Sequence, residues 1–185
     1  MHRSDAFRLL LPMVALIPVH ASAQALGPSR PGPVIEGFGP VFDVEAPTFP
    51  TPEEMTLRAV FEVSTSAESE DQVNRRIETV ARFVGMRARA GVPADRVQAA
   101  LVVHGSAGKD LLNDEGYRRR YGIANPDALL VKRLLEAGVQ VVLCGQTQMS
   151  RGLKREELVR GVDVGLSAMT SLLVFQDRGY ALIPT

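Results

Sequence analysis

Short runs of nearly unbroken apolar residues do most to limit what this chain can fold into. Val97–Val103 contains only Gln98 as a polar member, and Val139–Leu143 contains only Gln140. Runs of this length are short for helices and suit strands buried on both faces of a sheet. Leu57–Val63 alternates apolar residues with Arg58 and Glu62, then ends in Ser and Thr, as a first strand would. The segments between these runs have a different period. From Ser69 to Ala90, the residues Val73, Ile77, Val80, Ala81, Val84 and Ala88 recur at steps of three and four. That is the inward stripe of an amphipathic helix. Ser69 or Asp71 is placed to cap it, and Gly91 with Pro93 to end it.

The alternation continues to the end of the chain. Gly105–Gly122 is a polar excursion with one helical stretch. Asn125 and Pro126 introduce a helix over Ala128–Ala137, which Gly138 closes. Further helices are predicted over Lys154–Arg160 and Ser167–Asp177, with Val162–Val164 and Tyr180–Ile183 as the last strands. Leu172–Phe175 is short and apolar enough for a strand, but Ala168, Leu172 and Phe175 share one helical face. Strands alternating with helices imply parallel pairing through right-handed crossovers. The fold class is therefore α/β: a doubly wound, mostly parallel sheet of about five strands with helices on both faces.

Two segments precede this domain. Arg3 and Arg8 lead into the apolar run Leu9–Val19, and Ala21-Ser22-Ala23 follows as a small-residue cleavage site. Residues 1–23 thus read as a secretory signal peptide cut near Ala23, which predicts a periplasmic or secreted protein. The run is too short to span a bilayer, which needs about 20 residues. No second long apolar run follows, so the mature chain is expected not to cross a membrane. Residues 24–55 are rich in Pro and Gly but also hold Val34, Ile35, Phe38, Val41 and Phe42. They read as an extended arm that packs on the domain or on a neighbouring subunit, ahead of a domain over residues 56–185.

Loss of the signal peptide removes His2 and His20 and leaves one Cys, Cys144, and one His, His104. A single Cys makes no internal disulfide even in an oxidising compartment. One Cys and one His cannot close a tetrahedral zinc site, so no metal is expected, and no cofactor either. The 21 basic and 21 acidic residues balance, which gives no reason to expect nucleic acid as a partner.

Open parallel sheets bind ligands beyond the carboxyl ends of their strands. Cys144 directly follows the third strand and His104 the second. If those strands are neighbours, both residues share one rim. Gly145 permits a sharp turn and bares an amide beside the sulfur, and Gln146, Thr147, Gln148 and Ser150 make the loop polar. Against this stands a buried, inert Cys capping a core strand. Gly105-Ser106-Ala107-Gly108-Lys109 looks like a phosphate loop, but Val103 and Asp110 stand where that motif needs Gly and Ser or Thr. Arg118-Arg119-Arg120 reads as a solvated helix face.

Several pieces of the chain carry a family resemblance: Val60-Phe61-Glu62-Val63, Val102-Val103-His104-Gly105, Val141-Val142-Leu143-Cys144-Gly145 and Gln176-Asp177-Arg178-Gly179-Tyr180-Ala181-Leu182-Ile183-Pro184, with Pro33–Gly39 in the arm. In this order and spacing the chain resembles the DsrE/DsrF-like family, in its exported branch. The resemblance implies a flavodoxin-like layered domain and homo- or hetero-oligomers. It implies that Cys144 matches the cysteine carrying persulfide sulfur in sulfur-relay members. The expectation is a periplasmic sulfur carrier, sulfurtransferase-like if active, in which Cys144 reacts and His104 tunes it. Gly105, Gly145 and Gln146 would shape the pocket. A sulfur donor or acceptor protein, or a small sulfur compound, would be its partner. The alternative is a non-catalytic oligomeric binding module with a buried structural cysteine.

Overall fold

In the computed structural model, residues 29–49, 52 and 54–185 are described. The expected signal peptide, residues 1–23, lies outside them. Five strands, β1 (Leu57–Val63), β2 (Val97–Val103), β3 (Gln140–Cys144), β4 (Asp163–Gly165) and β5 (Ala181–Ile183), form one sheet in the order β4-β3-β2-β1-β5. Every pairing is parallel. The helices are α1 (Arg75–Arg89), α2 (Asp114–Tyr121), α3 (Ala128–Glu136), α4 (Gly145–Ser150) and α5 (Ala168–Asp177). The chain steps from β1 to β4 in one direction, then returns through α5 to lay β5 beside β1.

This return divides the core. Ala59, Phe61, Val63, Leu101, Val103, Val141 and Leu143 pack with Ile77 and Val80 of α1 and Leu130 and Leu134 of α3. The alternate residues Val60, Ala100, Val102 and Cys144 pack with Ala168 and Phe175 of α5. Two-residue periodicity thus assigns each strand residue to one of two layers, as a sheet covered on both faces requires. The arrangement is the flavodoxin-like α/β sheet that the sequence predicts, with every strand parallel. Among the described residues no helix is long and apolar enough to cross a membrane.

Residues of the Pro- and Gly-rich arm pack on α1 and α3. Arg30 and Val41 exchange two backbone hydrogen bonds and close the segment into a loop. Ile35 lies within it, 0% exposed and part of the larger core. A Cβ on Gly32 would sit 2.5 Å from the Gly85 Cα, so arm and helix cross backbone to backbone. The Gly39 amide donates to Glu78, Arg89 reaches the Pro31 carbonyl, and Arg133 bonds the Glu36 carbonyl.

Three local expectations are corrected. The first helix starts at Arg75 and is capped by Asn74, not by Ser69 or Asp71. The Asn74 side chain accepts from the Arg76 amide and donates to the Thr65 carbonyl and to Asp110. Those tertiary bonds fix the helix start. Second, Lys154–Arg160 is not a helix, but one 3-10 turn over Arg155–Glu157. The chain then runs extended, because Val159 donates to Leu111 and Leu158 bridges Leu112. Third, the triple-Arg run is not wholly solvated: Arg119 and Arg120 each lie 2.9 Å from the buried Glu157 carboxylate. The Arg120 guanidinium holds Glu157 at about 2, against the opposing pull of burial.

A buried polar cluster joins the loops at the carboxyl end of β1 and β2. Asp110 accepts from Ser66 and Asn74, and Lys109 lies 3.2 Å away. Asp127, at the start of α3, accepts from the Asn74 amide at 2.9 Å. Burial, reinforced by the Asp110 charge, pushes Asp127 up to about 7.

Candidate functional site

The buried run of β3 delivers Cys144 to the carboxyl rim, where it is 5% exposed and is the N-cap residue of α4. Sheet order makes β2 and β3 neighbours, so His104 and Cys144 end adjacent strands. The last pairing of the two strands is Val103↔Leu143, and His104 and Cys144 are the next residue on each. Both fall on the α5 face, as does Glu62 of β1.

The Cys144 sulfur has several polar neighbours. Burial alone would raise its pKa. The Thr147 amide and hydroxyl and the amides of Ala168 and Gln146, all near the sulfur, oppose that, and the thiol falls below its ordinary value. Two short-range features create this setting. The chain turns from β3 directly into α4, so the amides of its first turn have no intrahelical partners. The Ser167–Ala168 start of α5 comes in from the neighbouring strand end, because β4 pairs Gly165 with Cys144.

Gly145 makes the close approach feasible. A Cβ there would lie 2.5 Å from the Gly165 carbonyl oxygen and 3.2 Å from that of Leu166. Both neighbours are backbone, so neither can swing aside. Gly145→Ala should therefore part β3 from β4 and cost about 1–3 kcal/mol, read as a shift in the urea unfolding midpoint. A midpoint within 0.5 kcal/mol of wild type would contradict that packing account.

The remaining expected site residues are distributed around this point. Gln146 is exposed and reaches the Leu166 carbonyl at 3.3 Å. The His104 ring nitrogen Nε2 lies 2.7 Å from Glu62. Its hydrogen bond thus runs towards β1, and among the described residues none joins His104 to Cys144. The Gly105 amide donates to the Thr147 hydroxyl oxygen at 3.0 Å. Around the mouth, Met149, Leu166 and Met169 are exposed. Among the described residues, no group of three or more His, Cys, Asp or Glu could hold a metal ion.

Sequence reasoning missed Glu62, the Ala168 amide and the specific part of Thr147. Glu62 carried a signal: a charged residue one step from the carboxyl end of the strand, after the buried run Ala59–Phe61. Ala168 carried none, since its contact depends on the pairing of β4 with β3.

Comparisons with known proteins agree with this architecture. A protein of unknown function, MTH1491, from Methanobacterium thermoautotrophicum is 23% identical, with a TM-score of 0.50 over 70% of this chain and 99% of its own. The ychN protein from E. coli is 14% identical, with a TM-score of 0.51 over 70% of this chain and 100% of its own. These likenesses concern the fold. Among curated proteins none matches the chain. The family model described as DsrE/DsrF-like matches residues 58–184, from the second residue of β1 through β5 and including Cys144, and the chain belongs to that family.

Proposed function

We propose that this protein carries sulfane sulfur as a persulfide on Cys144. The observation that most supports the reading is the place of Cys144 at the sheet's carboxyl rim, heading α4 and its unpartnered first-turn amides, where the thiol falls below its ordinary value. The family is associated with sulfur relay, which directs the chemistry towards sulfur rather than acyl transfer. In the loading step the Cys144 thiolate attacks the outer sulfur of thiosulfate. A sulfur–sulfur bond forms to Cys144, the bond to the sulfonate sulfur breaks, and sulfite leaves with its electron pair. An acceptor thiolate then attacks the outer sulfur of the persulfide, and Cys144 leaves as the thiolate. The amides stabilise negative charge on Cys144 at both ends of this cycle.

In this reading Gly105, Gly145 and Gln146 shape the pocket. His104, held by Glu62 on the adjacent strand, stands at its mouth as the residue that tunes Cys144. The exposed Met149, Leu166 and Met169 support a homo-oligomer in which a second copy covers the rim. The basic and apolar start of the chain supports export to the periplasm or beyond, with cleavage near Ala23.

The test is the intact mass of the native protein before and after exposure to thiosulfate or polysulfide. Wild type should gain about 32 Da, the mass of one sulfur atom, reversed by reductant, and Cys144→Ser should gain nothing. The 5% exposure of Cys144 also fits a binding module with an inert thiol. No mass gain, with alkylation blocked until unfolding, would select that module instead.

A further inference from the structure

We propose that an apolar pocket at the amino end of the sheet receives Phe49 of a second copy of this chain, the two copies exchanging this residue reciprocally. The pocket lies at the opposite end of the sheet from Cys144, and the inference does not depend on the chemistry of that residue. It has a volume of about 190 Å3. Val34 of the arm, Val84 and Ala88 of α1, Val97 and Ala99 of β2, and Val139 just ahead of β3 form its walls. Among the described residues no polar side chain lines it. Water finds few partners in such a space, whereas an apolar cavity of about 150 Å3 is enough to hold a benzene ring. The pocket thus suits one phenyl group.

Phe49 is a phenyl group without a place in its own chain. At 86% exposure it is the most exposed large apolar side chain among the described residues. The geometry on either side keeps it near the pocket but outside it. Asp43 is fastened to Arg30 and Arg89. Ala46 then turns the chain with φ +46, a backbone that a residue other than glycine rarely adopts, and Pro47, Thr48 and Phe49 follow it exposed. The chain rejoins the fold at Leu57, which pairs with Val97 in the pocket wall. From Phe49 to Leu57 the chain spans at most about 29 Å. A protruding residue tethered beside a matching pocket makes one surface self-complementary, as a two-fold interface requires. Charge favours the same pairing. Residues 31–57 carry Glu36, Asp43, Glu45, Glu53 and Glu54 and no basic residue. The helix α1, whose last turns border the pocket, carries Arg75, Arg76, Arg82, Arg87 and Arg89 against the single acid Glu78. An acidic segment from one copy therefore meets a basic helix on the other.

The experiment is sedimentation equilibrium of the native protein as wild type, Phe49→Ala and Ala88→Leu, each alone and with the two variants mixed in equal amounts. Phe49→Ala removes the phenyl group and leaves the pocket. Ala88→Leu fills the pocket from α1, where leucine is also a good helix former, and leaves the phenyl group. Wild type should self-associate, and each variant should associate at least about tenfold more weakly, as loss of a buried aromatic anchor does. The mixture should associate more tightly than either variant alone, because one pocket and one phenyl group still meet. A misfolded variant would not produce that gain. Should Ala88→Leu fail to fold, Ala137→Leu fills the pocket from another wall. A wild type that stays monomeric at every concentration, variants that associate as wild type does, or a mixture no tighter than its parts would overturn the proposal.

Discussion

Replacing Asp127 by Asn should flatten the pH dependence of stability between about pH 4 and pH 8 and leave the variant the more stable protein at the alkaline end. Asp127 is 1% exposed, and burial lifts its carboxyl from 3.8 to about 7. The groups that face it explain why so little opposes this. Asp110 and Glu78 add negative charge, while the Asn74 amide and the Lys109 ammonium pull the other way. Lys109 is already committed to Asp110, at 3.2 Å, and to the Tyr117 hydroxyl, at 2.9 Å. The folded protein therefore holds a proton that the unfolded chain releases above about pH 4. This contribution to stability is whole below that pH and is lost as the pH rises through 7. At about 1.4 kcal/mol per unit, the loss is on the order of 2–4 kcal/mol. Asn keeps the acceptor for the Asn74 amide and carries no charge at any pH. Urea unfolding of both proteins at pH 5 and pH 8 decides the matter. Parallel losses in the two would mean that Asp127 is ionised throughout.

Ile35→Ala should cost about 2–5 kcal/mol, the range for truncating a buried aliphatic side chain. A residue in a solvated spacer would shift stability by no more than about 0.5 kcal/mol, so the two accounts of the arm differ several-fold. The larger figure follows from placement. Ile35 is fully buried among residues of the main core, and the arm around it is fastened at Arg30, Gly39 and Arg133. The close crossing of Gly32 and Gly85 leaves no gap into which the arm could settle after the truncation. A urea midpoint unchanged by Ile35→Ala would show that the arm contributes nothing to the folded domain.

Elements defined by one residue period were legible to the residue. Leu57–Val63 and Val97–Val103 have the predicted bounds, the first from its alternation ending in Ser and Thr and the second from its nearly unbroken apolar run. Elements whose limits depend on distant partners were not. Val73 continues the helical stripe, yet α1 begins after Asn74, whose side chain is held by Asp110. Lys154–Arg160 has helical composition, but Leu111 and Leu112 draw its backbone into an extended path. The helix α4 has six mostly polar residues and starts at a glycine, so neither pattern nor propensity marks it. At the candidate site, the rim position of Cys144 and His104 could be read from strand ends. The bonds Gly105–Thr147 and Glu62–His104 could not, since each joins segments more than forty residues apart through the alignment of strands.

The anchoring of the arm has a consequence for the order of assembly. Its bonds reach Glu78 and Arg89 on α1 and, 97 residues beyond Glu36, Arg133 on α3. Closing a loop of that length is costly until the intervening strands have brought its ends together. Ile35 has no completed surface to enter before α1 and α3 lie side by side on the sheet. The segment that leaves the ribosome ahead of the domain is thus the one that must wait for it. During that wait the apolar surface of α1 and α3 beneath Ile35 is open to other chains, which makes the undocked arm the stage at which aggregation competes with folding.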